Sequence, residues 1–549
     1  MPRIVILGGY GVFGGRLARL LLADGGADIV VAGRSLAKAR AFCEQHGGRP
    51  LAIDRDGDLA NVFNGLRPAI VIDAAGPFQA YGDDPYRVAR TAIEAGAHYF
   101  DLADDAGFAA GISSLDAFAC DNGVAAVSGV SSVPALSAAA VRALVPEGAA
   151  IDLIETAILP GNRVPRGRSV VHAILSQVGR QVAVFRHGQP TMTTGWGKGR
   201  IYNVWTKSGL PLRRRARALC VPDIALFPER FAARNVEFRA GLELGLIDRG
   251  LWWLGLLVRS GAIRDLTALA RPLTALARPL EEFGSDRGAM VVRAFVRDGD
   301  DVERREWQLV AEAGDGPFIP AVPARALVRK ALRGGLTAGA RPCLDDIDPD
   351  DATKAMAGLQ VSTVISRERE TPLFREALGP DFNRLPAPLR AVHDARVHKR
   401  FVGRGRVRRG SGPLTELLCL AFGLPQSSDD LPVTVSIERD GAAEIWTRHF
   451  GRQRFRSVLR RSASDGKGRV RERFGPVSIE IDLALADSTL SYPVGGGSFA
   501  GVRLPSFLVP RSETRESVDE DGRFCFSVRI SLPLTGLLIS YEGWLEDAS

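Results

Sequence analysis

Residues 3–15 read Arg-Ile-Val-Ile-Leu-Gly-Gly-Tyr-Gly-Val-Phe-Gly-Gly, and this stretch decides the fold of the first part of the chain. It begins with an apolar run that is typical of a central parallel strand. Gly9, Gly11 and Gly14 then fit the pattern G-x-G-x-x-G. The residues that follow have leucines at helical spacing, and a second apolar strand is predicted at 29–32. The stretch therefore predicts a βαβ unit of a doubly wound α/β sheet of the Rossmann type.

Each glycine of the pattern has a physical reason if the loop binds a dinucleotide. Gly9 permits the tight turn, Gly11 lets the backbone approach a pyrophosphate, and Gly14 allows the helix to pack closely on the strand. The pyrophosphate would accept hydrogen bonds from the free N–H groups at the start of the helix. The predicted cofactor-binding residues of this loop are Gly8, Gly9, Tyr10, Gly11, Val12, Phe13 and Gly14.

The end of the second strand indicates which dinucleotide is bound. NAD-binding proteins place a carboxylate there for the ribose 2′-hydroxyl. This chain has Gly33-Arg34-Ser35 instead. Because a guanidinium matches a phosphate with two hydrogen bonds, Arg34 and Ser35 are predicted to bind the 2′-phosphate of NADP (NADPH). The other interpretation is that Arg34 is an ordinary solvated surface residue.

Two later strand ends complete the predicted cofactor site. Asp54 follows the strand at 50–53, where it either reaches the adenine or caps the next turn. The strand at 69–73 leads into a segment of small residues that would let a nicotinamide ribose lie against the backbone. This segment consists of Ala75, Gly76, Pro77 and Phe78.

The composition excludes several classes of protein. The chain has 549 residues, of which 46% are hydrophobic and 24% charged, so a disordered, collagen-like or coiled-coil protein is excluded. There are 71 Lys and Arg against 63 Asp and Glu, a formal net charge of +8. Almost all the basic residues are Arg, and they are scattered among acidic residues. This distribution favours compositional bias, and not nucleic-acid binding, as the explanation of the positive net charge. The runs 213–215 and 404–409 remain candidates for an anion.

The spacing of the cysteines and the length of the apolar runs indicate the cellular compartment in which the protein is expected. The six cysteines form no C-x-x-C pair, so no metal site is predicted and a reduced, cytoplasmic setting is expected. No apolar run is long enough to span a membrane. The segment 251–258, Leu-Trp-Trp-Leu-Gly-Leu-Leu-Val, is interpreted as a buried helix, or else as a surface that contacts a membrane or a partner subunit such as a second copy.

The middle of the chain has a mixed pattern that predicts an α+β part. Strands are predicted at 151–159, 289–297 and 303–312, and helices at 228–258 and 262–283.

No spacing fixes a catalytic set in this part of the chain. Lys198, Tyr202 and Lys207 are candidates to donate a hydrogen bond to a substrate carbonyl or carboxylate, and Asp104 is a candidate acid. Arg166 and Arg168, just before a helix predicted at about 169–179, are candidates to bind an anionic substrate group or the cofactor phosphates. The other interpretation is a solvated basic loop. The catalytic residues stay unassigned.

The nucleotide-binding motifs resemble those of the saccharopine dehydrogenase-like family. The matching stretches are 8–14, 32–34, 74–78 with 81–82, and 94–102, and 128–137 looks like the loop after the family's sixth strand. The resemblance covers about residues 1–366. It implies an NADP-binding domain, an inserted second part and a return segment at 318–346. Related proteins often read Gly-Glu where this chain has Asp104-Asp105, so the resemblance does not supply an acid–base role for that loop.

The last third of the chain differs in kind. After the charged stretch 367–372, short helices are predicted at 373–379, 386–390 and 413–422, among many short strands separated by turn signals. This pattern predicts a β-rich antiparallel sheet, curved or closed like a barrel. It resembles an uncharacterised bacterial domain family found behind saccharopine dehydrogenase-like domains, through features such as Trp446, Tyr541 and Trp544. His393, His398 and His449 have no acid fixed beside them by spacing.

These observations predict an NADP-dependent oxidoreductase that transfers a hydride to or from a small or lipid-like carbonyl or imine substrate. The second hypothesis is a non-catalytic NADP-binding regulator or scaffold whose β domain binds a ligand. The partners expected are a small-molecule substrate, with peripheral membrane contact and a homodimer as further options, and no nucleic acid. The predicted domains are 1–148 (NADP-binding), 149–317 (inserted), 318–366 (return) and 371–549 (β-rich).

Overall fold

The computed structural model describes residues 1–165, 167–206, 209, 211–299, 301–462, 468–533 and 536–548. The chain divides into two compact units, Met1–Glu368 and Arg369–Ser549.

The first unit begins with a parallel sheet built on the buried strand that precedes the glycine loop. The strands of this part are β1 (Arg3–Leu7), β2 (Asp28–Gly33), β3 (Arg49–Ala52), β4 (Ile70–Asp73), β5 (His98–Asp101) and β6 (Ala125–Ser128). The helices are α1 (Gly14–Asp24), α2 (Leu36–His46), α3 (Leu59–Leu66), α4 (Arg87–Glu94), α5 (Ala106–Gly111), α6 (Asp116–Asp121) and α7 (Ser137–Leu144). The strand order β6-β5-β4-β1-β2-β3 brings the carboxyl ends of all six strands to one edge. We call this edge the nucleotide edge, because ligands of such sheets bind there.

A second, mixed sheet follows. Its strands are β7 (Ile151–Leu159), β8 (Gln181–Arg186), β9 (Gln189–Thr194), β10 (Gly199–Val204), β11 (Leu212–Ala218), β12 (Val236–Leu242), β13 (Gly288–Asp298) and β14 (Asp301–Ala311). The helices between them are α8 (Arg168–Leu175), α9 (Pro222–Phe231), α10 (Gly245–Arg259) and α11 (Ala270–Ala277). After β14 the chain forms α12 (Val322–Leu332), β15 (Gly339–Pro342), α13 (Pro349–Ala355) and β16 (Val361–Arg369). The strand β15 pairs in parallel with β6, and β16 is the last strand of the mixed sheet.

The helix predicted over 228–258 is wrong in its middle. The strand β12 occupies Val236–Leu242 and pairs with both β7 and β11 near the centre of the mixed sheet. Its apolar residues alternate at period two, but the run is short and lies between two helices. The helix predicted over 262–283 is limited to α11, with single turns of 3-10 helix on either side. Pro272 lies in the first turn of α11 and Pro279 lies just beyond its end.

The second unit is dominated by one large antiparallel sheet. Its helices are α14 (Leu373–Leu378), α15 (Ala387–His393) and α16 (Pro413–Ala421). Its strands are β17 (Lys399–Arg409), β18 (Ser428–Asp440), β19 (Ala443–Phe450), β20 (Gln453–Arg461), β21 (Arg469–Phe474), β22 (Val477–Asp482), β23 (Ala484–Ala486), β24 (Thr489–Ser491), β25 (Val494–Phe499), β26 (Val502–Arg503), β27 (Arg511–Val518), β28 (Phe524–Leu532) and β29 (Gly536–Asp547).

This sheet curls back on itself. The strand order runs β23-β24-β27-β28-β29-β17-β18-β19-β20-β21-β22-β25-β26. The strand β22 therefore lies near one end of the sheet, whereas β23 is the opposite end. Leu483 alone joins them in sequence, so the two ends of the sheet lie close together. The inner face encloses a core that is rich in aromatic residues.

The predicted fold class is confirmed: a Rossmann-type parallel sheet, a mixed α+β part and a β-rich antiparallel sheet that is barrel-like in its curvature. The finer domain boundaries at 148, 317 and 366 stay predictions. None of the helices in the described parts of the chain is both long and apolar enough to cross a membrane.

Candidate functional site

The glycine loop joins β1 to α1 with almost no space for side chains. A Cβ on Gly14 would lie 2.3 Å from the carbonyl oxygen of Gly8, and a Cβ on Gly9 would lie 2.8 Å from that of Ile6. Gly8 itself has φ +71°, and a Cβ there would meet the backbone of Ala74 at 2.6 Å. The loop is therefore closely packed against the ends of β1, β2 and β4.

The tip of the loop contains backbone N–H groups that donate no hydrogen bond to a described residue. A Cβ on Gly11 would approach only the carbonyl oxygen of Gly8, at 3.0 Å. The backbone N–H groups of Val12 and Phe13, just before α1, have no acceptor among the residues described. No side chain caps this helix. An open backbone with free donors at a helix N-terminus fits the pyrophosphate of a dinucleotide.

Arg34 and Ser35 follow β2 at the nucleotide edge, beside the glycine loop. The hydroxyl of Tyr10 accepts a hydrogen bond from the backbone N–H of Ser35 at 3.0 Å. The Tyr10 ring covers Gly33, where a Cβ would lie 2.6 Å from the hydroxyl. The Ser35 hydroxyl caps α2 by accepting from the backbone N–H of Lys38. The Arg34 side chain is exposed and has no partner in the described structure, so it is free to bind an anion.

Asp54 lies after β3 at the same edge, and its side chain has a structural role. Its carboxylate accepts a hydrogen bond from the backbone N–H of Asp56 at 3.2 Å, and its carbonyl accepts one from Gly57 at 3.0 Å. This is the turn-capping option of the sequence analysis. The side chain is exposed, so an adenine contact stays a prediction.

The segment Ala75 to Phe78 leaves β4 and turns into a small aromatic cluster. The backbone N–H of Ala75 donates to the carboxylate of Asp73 at 3.0 Å. Phe78 is buried against Tyr81 and Phe108, with ring centroids 5.0 and 4.9 Å away. Phe78 is therefore part of a packed wall at this edge.

Two fully buried aspartates sit side by side at the ends of β4 and β5. Asp73 accepts hydrogen bonds from the Tyr81 hydroxyl, and burial raises the pKa of Asp73 to about 6. Asp101 accepts from the backbone N–H groups of Ala103 and Gly129 and from the Ser128 hydroxyl. Burial raises the pKa of Asp101 to about 7, and no described residue makes a hydrogen bond with its Oδ2. The two carboxyl groups hold the strand ends and the loops that leave them.

An apolar cavity of about 270 Å³ lies between the nucleotide edge and the mixed sheet. From the nucleotide edge it is lined by Phe13, Leu102, Asp104 and Ser131–Val133. From the mixed sheet its lining includes Ile158, Ala240, Met290 and Leu309. From α8 it is lined by Val170, Ala173 and Ile174. A cavity with these walls suits an apolar molecule placed next to the dinucleotide.

Asp104 is the sequence-predicted catalytic candidate that lines this cavity. Burial raises the pKa of its carboxyl, and the Gln79 side-chain amide donates to it at 3.3 Å. Lys198 is exposed and lies in the turn before β10, outside the cavity lining. Lys207 and Arg166 lie outside the described residues.

Tyr202 lies on the opposite face of the mixed sheet from the cavity. It packs with Ala157 and Val291, whose neighbours Ile158 and Met290 line the cavity from the other face. The Tyr202 ring is fully buried, its hydroxyl has no hydrogen-bond partner among the described residues, and burial raises the pKa of that hydroxyl well above its ordinary value. The Arg293 guanidinium lies 4.8 Å from the ring centroid. Tyr202 therefore belongs to a buried structural network and does not face the cavity.

Sequence reasoning did not single out Asp73 and Asp101 as functional. The signal was present, because each is an acid at the last position of a buried parallel strand. That signal cannot distinguish a ligand contact from the internal hydrogen bonds that the two residues make. The cavity had no signal at all, since its lining comes from segments spread between residues 13 and 320.

Two family models match the chain, one at each end. Residues 4–127 match the saccharopine dehydrogenase NADP binding domain. Residues 385–545 match a domain of unknown function, DUF4166. The two matches confirm the resemblance drawn from the sequence, including the fusion of the two parts. They support an NAD(P)-dependent oxidoreductase with a nicotinamide cofactor and leave its substrate open. No curated protein matches the chain significantly.

Several solved structures share part of the chain path at low similarity. Apo saccharopine dehydrogenase (L-Glu forming) from Saccharomyces cerevisiae is 15% identical, covers 67% of this chain and 100% of its own, and has a TM-score of 0.47. Biliverdin reductase from Synechocystis, in complex with biliverdin and NADP+, is 13% identical, with coverages of 64% and 95% and a TM-score of 0.28. The WlbA dehydrogenase from Thermus thermophilus, with NAD and alpha-ketoglutarate, is 12% identical, with coverages of 65% and 93% and a TM-score of 0.30. At these values the likenesses carry no argument about activity.

Proposed function

We propose that the first unit is an NADP(H)-dependent oxidoreductase that reduces the carbonyl or imine group of an apolar substrate, or catalyses the reverse oxidation. The observation that carries this proposal is the apolar cavity against the nucleotide edge. Its wall includes Phe13 from the glycine loop and Leu102 from the loop after β5. A substrate in the cavity therefore lies beside the place where a nicotinamide would meet the ends of β4 and β5.

The chain fits the phosphates of NADP in two places. The free N–H groups of Val12 and Phe13 bind the pyrophosphate, and the unpaired guanidinium of Arg34 binds the 2′-phosphate. Tyr10 supports both regions, since it belongs to the glycine loop and contacts Ser35. The bound cofactor supplies the hydride.

Asp104 is proposed as the acid of the reduction. It is an ionisable side chain of the cavity wall, and burial raises the pKa of its carboxyl, which increases the protonated fraction near neutral pH. A protonated carboxyl donates its proton to the substrate oxygen or nitrogen as the hydride reaches the neighbouring carbon. In the oxidative direction the carboxylate takes the proton back.

The test is NADPH oxidation by two aldehydes that differ only in chain length, octanal and propanal. We expect kcat/KM to be roughly tenfold or more higher for octanal, because each buried methylene contributes about 0.8 kcal/mol. Asp104→Asn should lower kcat and remove the fall in rate at high pH. Asp116→Asn, outside the cavity lining, is the control. NADPH binding without turnover of either aldehyde would favour the non-catalytic scaffold.

The exposed face of α10 is a candidate contact surface. The sequence leaves two interpretations for the segment 251–258, a buried helix or a surface that contacts a membrane or a partner subunit, and the first is wrong for one side of the helix. Leu246, Trp253 and Leu257 form one face and are 69%, 63% and 44% exposed. The opposite side is packed, since Gly255 lies against Gly179, where a Cβ would meet the Gly255 carbonyl oxygen at 2.4 Å.

The surroundings of this face favour an anionic lipid surface. Arg249, Arg259, Arg271 and Arg278 on α10, α11 and the turn after it are exposed and make no ion pair with a described residue. An apolar helix face with Trp and Leu, flanked by arginines, is typical of helices that lie in a membrane interface. We therefore include peripheral membrane contact in the proposal.

Vesicle co-sedimentation tests the membrane contact. The protein should bind phosphatidylglycerol vesicles more tightly than phosphatidylcholine vesicles, and Trp253→Glu should weaken that binding about tenfold. The matched control is Trp205→Glu, at a tryptophan that is 64% exposed elsewhere in the unit. Equal loss of binding in both variants would remove α10 from the proposal, and self-association without vesicle binding would assign the face to a second copy.

A further inference from the structure

The curled sheet of the second unit has a polar cluster inside its apolar core. His393, at the end of α15, contacts Glu516 on β27 with 2.5 Å between Nε2 and Oε2. Tyr492 donates its hydroxyl hydrogen to the same carboxylate oxygen at 2.6 Å. His393 is fully buried, and Glu516 and Tyr492 are 7% and 8% exposed. Burying such polar groups costs free energy unless hydrogen bonds compensate for the lost contact with water.

The three side chains sit in an aromatic environment. The His393 ring lies 3.9 Å from the Phe374 ring and 5.7 Å from that of Trp446, measured between centroids. Its Nδ1 is buried and has no hydrogen-bond partner in the part of the chain that the structure describes. Burial, and secondly the charge of Glu516, raise the pKa of Tyr492 well above its ordinary value, so that its hydroxyl stays a donor.

A second polar pair faces the same interior. Arg448 on β19 donates to the Ser457 hydroxyl at 2.8 Å and to Glu472 Oε1 at 3.4 Å. The charges of Arg448, Glu472 and Glu516 all act on Tyr492 and Tyr541, which shows that they share one small region. Two carboxylates therefore share the interior with one guanidinium.

A cavity of about 100 Å³ lies within this cluster. Glu516, Tyr492, Arg448 and Glu472 line it, together with a larger apolar set. The apolar part of the lining includes Phe374, Trp446, Phe450, Phe474, Phe524, Phe526 and Tyr541. The volume is smaller than the about 150 Å³ of an apolar cavity that holds benzene, so it limits a ligand to at most about one aromatic ring.

The interior cavity adjoins a wider surface cavity at one side of the sheet. Val494, Pro510 and Ser512 line both this cavity and the surface cavity of about 750 Å³. This side of the sheet is therefore the shortest way for a ligand to reach the interior.

The oxygens of the cluster that lack hydrogen bonds indicate what polar group a ligand would carry. Glu516 uses only Oε2 in its bonds, and Glu472 uses only Oε1, so each keeps one carboxylate oxygen without a hydrogen bond from a described residue. These oxygens accept and cannot donate when ionised. A ligand that donates a hydrogen bond satisfies them, whereas another carboxylate is repelled.

We propose that the interior of this sheet is a binding site for a small apolar molecule, of about one aromatic ring, that carries a hydrogen-bond-donating amine or alcohol head directed at Glu516 and Glu472. The site is separate from the nucleotide edge and does not depend on the function proposed for the first unit. It assigns a ligand class to the segment that matches DUF4166.

Calorimetric titration of the full chain with four molecules of one shape tests the proposal: benzylamine, benzyl alcohol, benzoate and toluene. We expect benzylamine, benzyl alcohol or both to bind at least tenfold more tightly than benzoate and toluene, and the stronger of the two identifies the head group. Equal binding of toluene, preferred binding of benzoate, or binding of none of the four would overturn the proposal. This comparison needs no variant.

Two variants locate the site. Glu516→Gln should weaken binding of the preferred ligand at least tenfold, whereas Glu513→Gln should leave it unchanged, because Glu513 is exposed on the same strand. Glu472→Gln, with an intact near-ultraviolet circular dichroism spectrum as the folding criterion, replaces Glu516→Gln if that variant does not fold. Unchanged affinity in a folded variant at both positions would contradict the assignment.

Discussion

The nucleotide edge and the interior of the C-terminal sheet are both places where polar groups meet apolar walls, but their residues come together by different routes. At the edge, residues 8–14 are contiguous, and their role follows from the order of the glycines. In the interior, His393 is separated from Tyr492 by 99 positions and from Glu516 by 123. A contiguous loop can be identified from a pattern, whereas the interior cluster exists only after the strands have paired.

The same contrast separates the correct predictions from the missed ones. The fold class, the glycine loop and most strands of the second unit follow from local periodicity and turn residues. The helix predicted over 228–258 failed because β12 is only seven residues long and lies between two helices, so its period-two alternation is too short to stand out. The cavity beside the nucleotide edge could not be predicted, because its walls come from both sheets of the first unit.

The largest effect is expected from crowding the contiguous loop. Gly14→Val should abolish NADPH binding and lower the free energy of unfolding by about 3 kcal/mol or more, since a Cβ at Gly14 meets the Gly8 carbonyl oxygen at 2.3 Å. Gly65→Ala is the control, because nothing lies within 4 Å of a Cβ there, and it should stabilise the helix slightly. Fluorescence titration and urea unfolding measure both. Unimpaired NADPH binding by Gly14→Val would show that the glycine loop is not packed as closely as the distances indicate, or that it does not bind the dinucleotide.

Asp101 combines features of the two regions. It lies at the nucleotide edge, but its hydrogen-bond partners come from separate parts of the chain, as in the C-terminal interior. Its pKa is raised to about 7, above that of the unfolded chain, so the folded protein binds more protons between roughly pH 4 and 7. The contribution of Asp101 to the free energy of unfolding therefore falls as pH rises through that window, by about 4 kcal/mol, and is constant above it.

Asp101→Asn should remove that part of the pH dependence, because an amide does not ionise. Urea unfolding at a series of pH values measures it. Asp54→Asn, an exposed acid at the same edge, should keep the slope of the unaltered protein. An unchanged slope in Asp101→Asn would place the titrating group elsewhere.

The next largest effect is expected on NADPH affinity from a change at Arg34, whose role was predicted from the local sequence alone. Arg34→Ala should weaken NADPH about thirtyfold, or about 2 kcal/mol, through loss of the charged hydrogen bonds, and leave NADH unchanged. Arg333→Ala, at an exposed arginine after α12, should alter neither affinity. Equal weakening of both dinucleotides would mean that Arg34 supports the loop and does not read the 2′-phosphate.

The smallest effect is expected inside the C-terminal sheet. Tyr492→Phe removes one of two donors to Glu516 Oε2 and should lower the free energy of unfolding of the second unit by about 1–2 kcal/mol. Tyr541→Phe is the matched control, since it lines the same cavity and its hydroxyl makes no hydrogen bond with a described residue. Chemical unfolding measures the difference. Equal stability of the two variants would show that the cluster around Glu516 does not hold the core together.

The central claim is that the contiguous loop and Arg34 make the first unit an NADPH site. The most direct measurement is the equilibrium affinity of the purified full chain for NADPH and for NADH under one set of conditions. We predict that NADPH binds at least tenfold more tightly. Equal affinities, or a preference for NADH, would contradict the account.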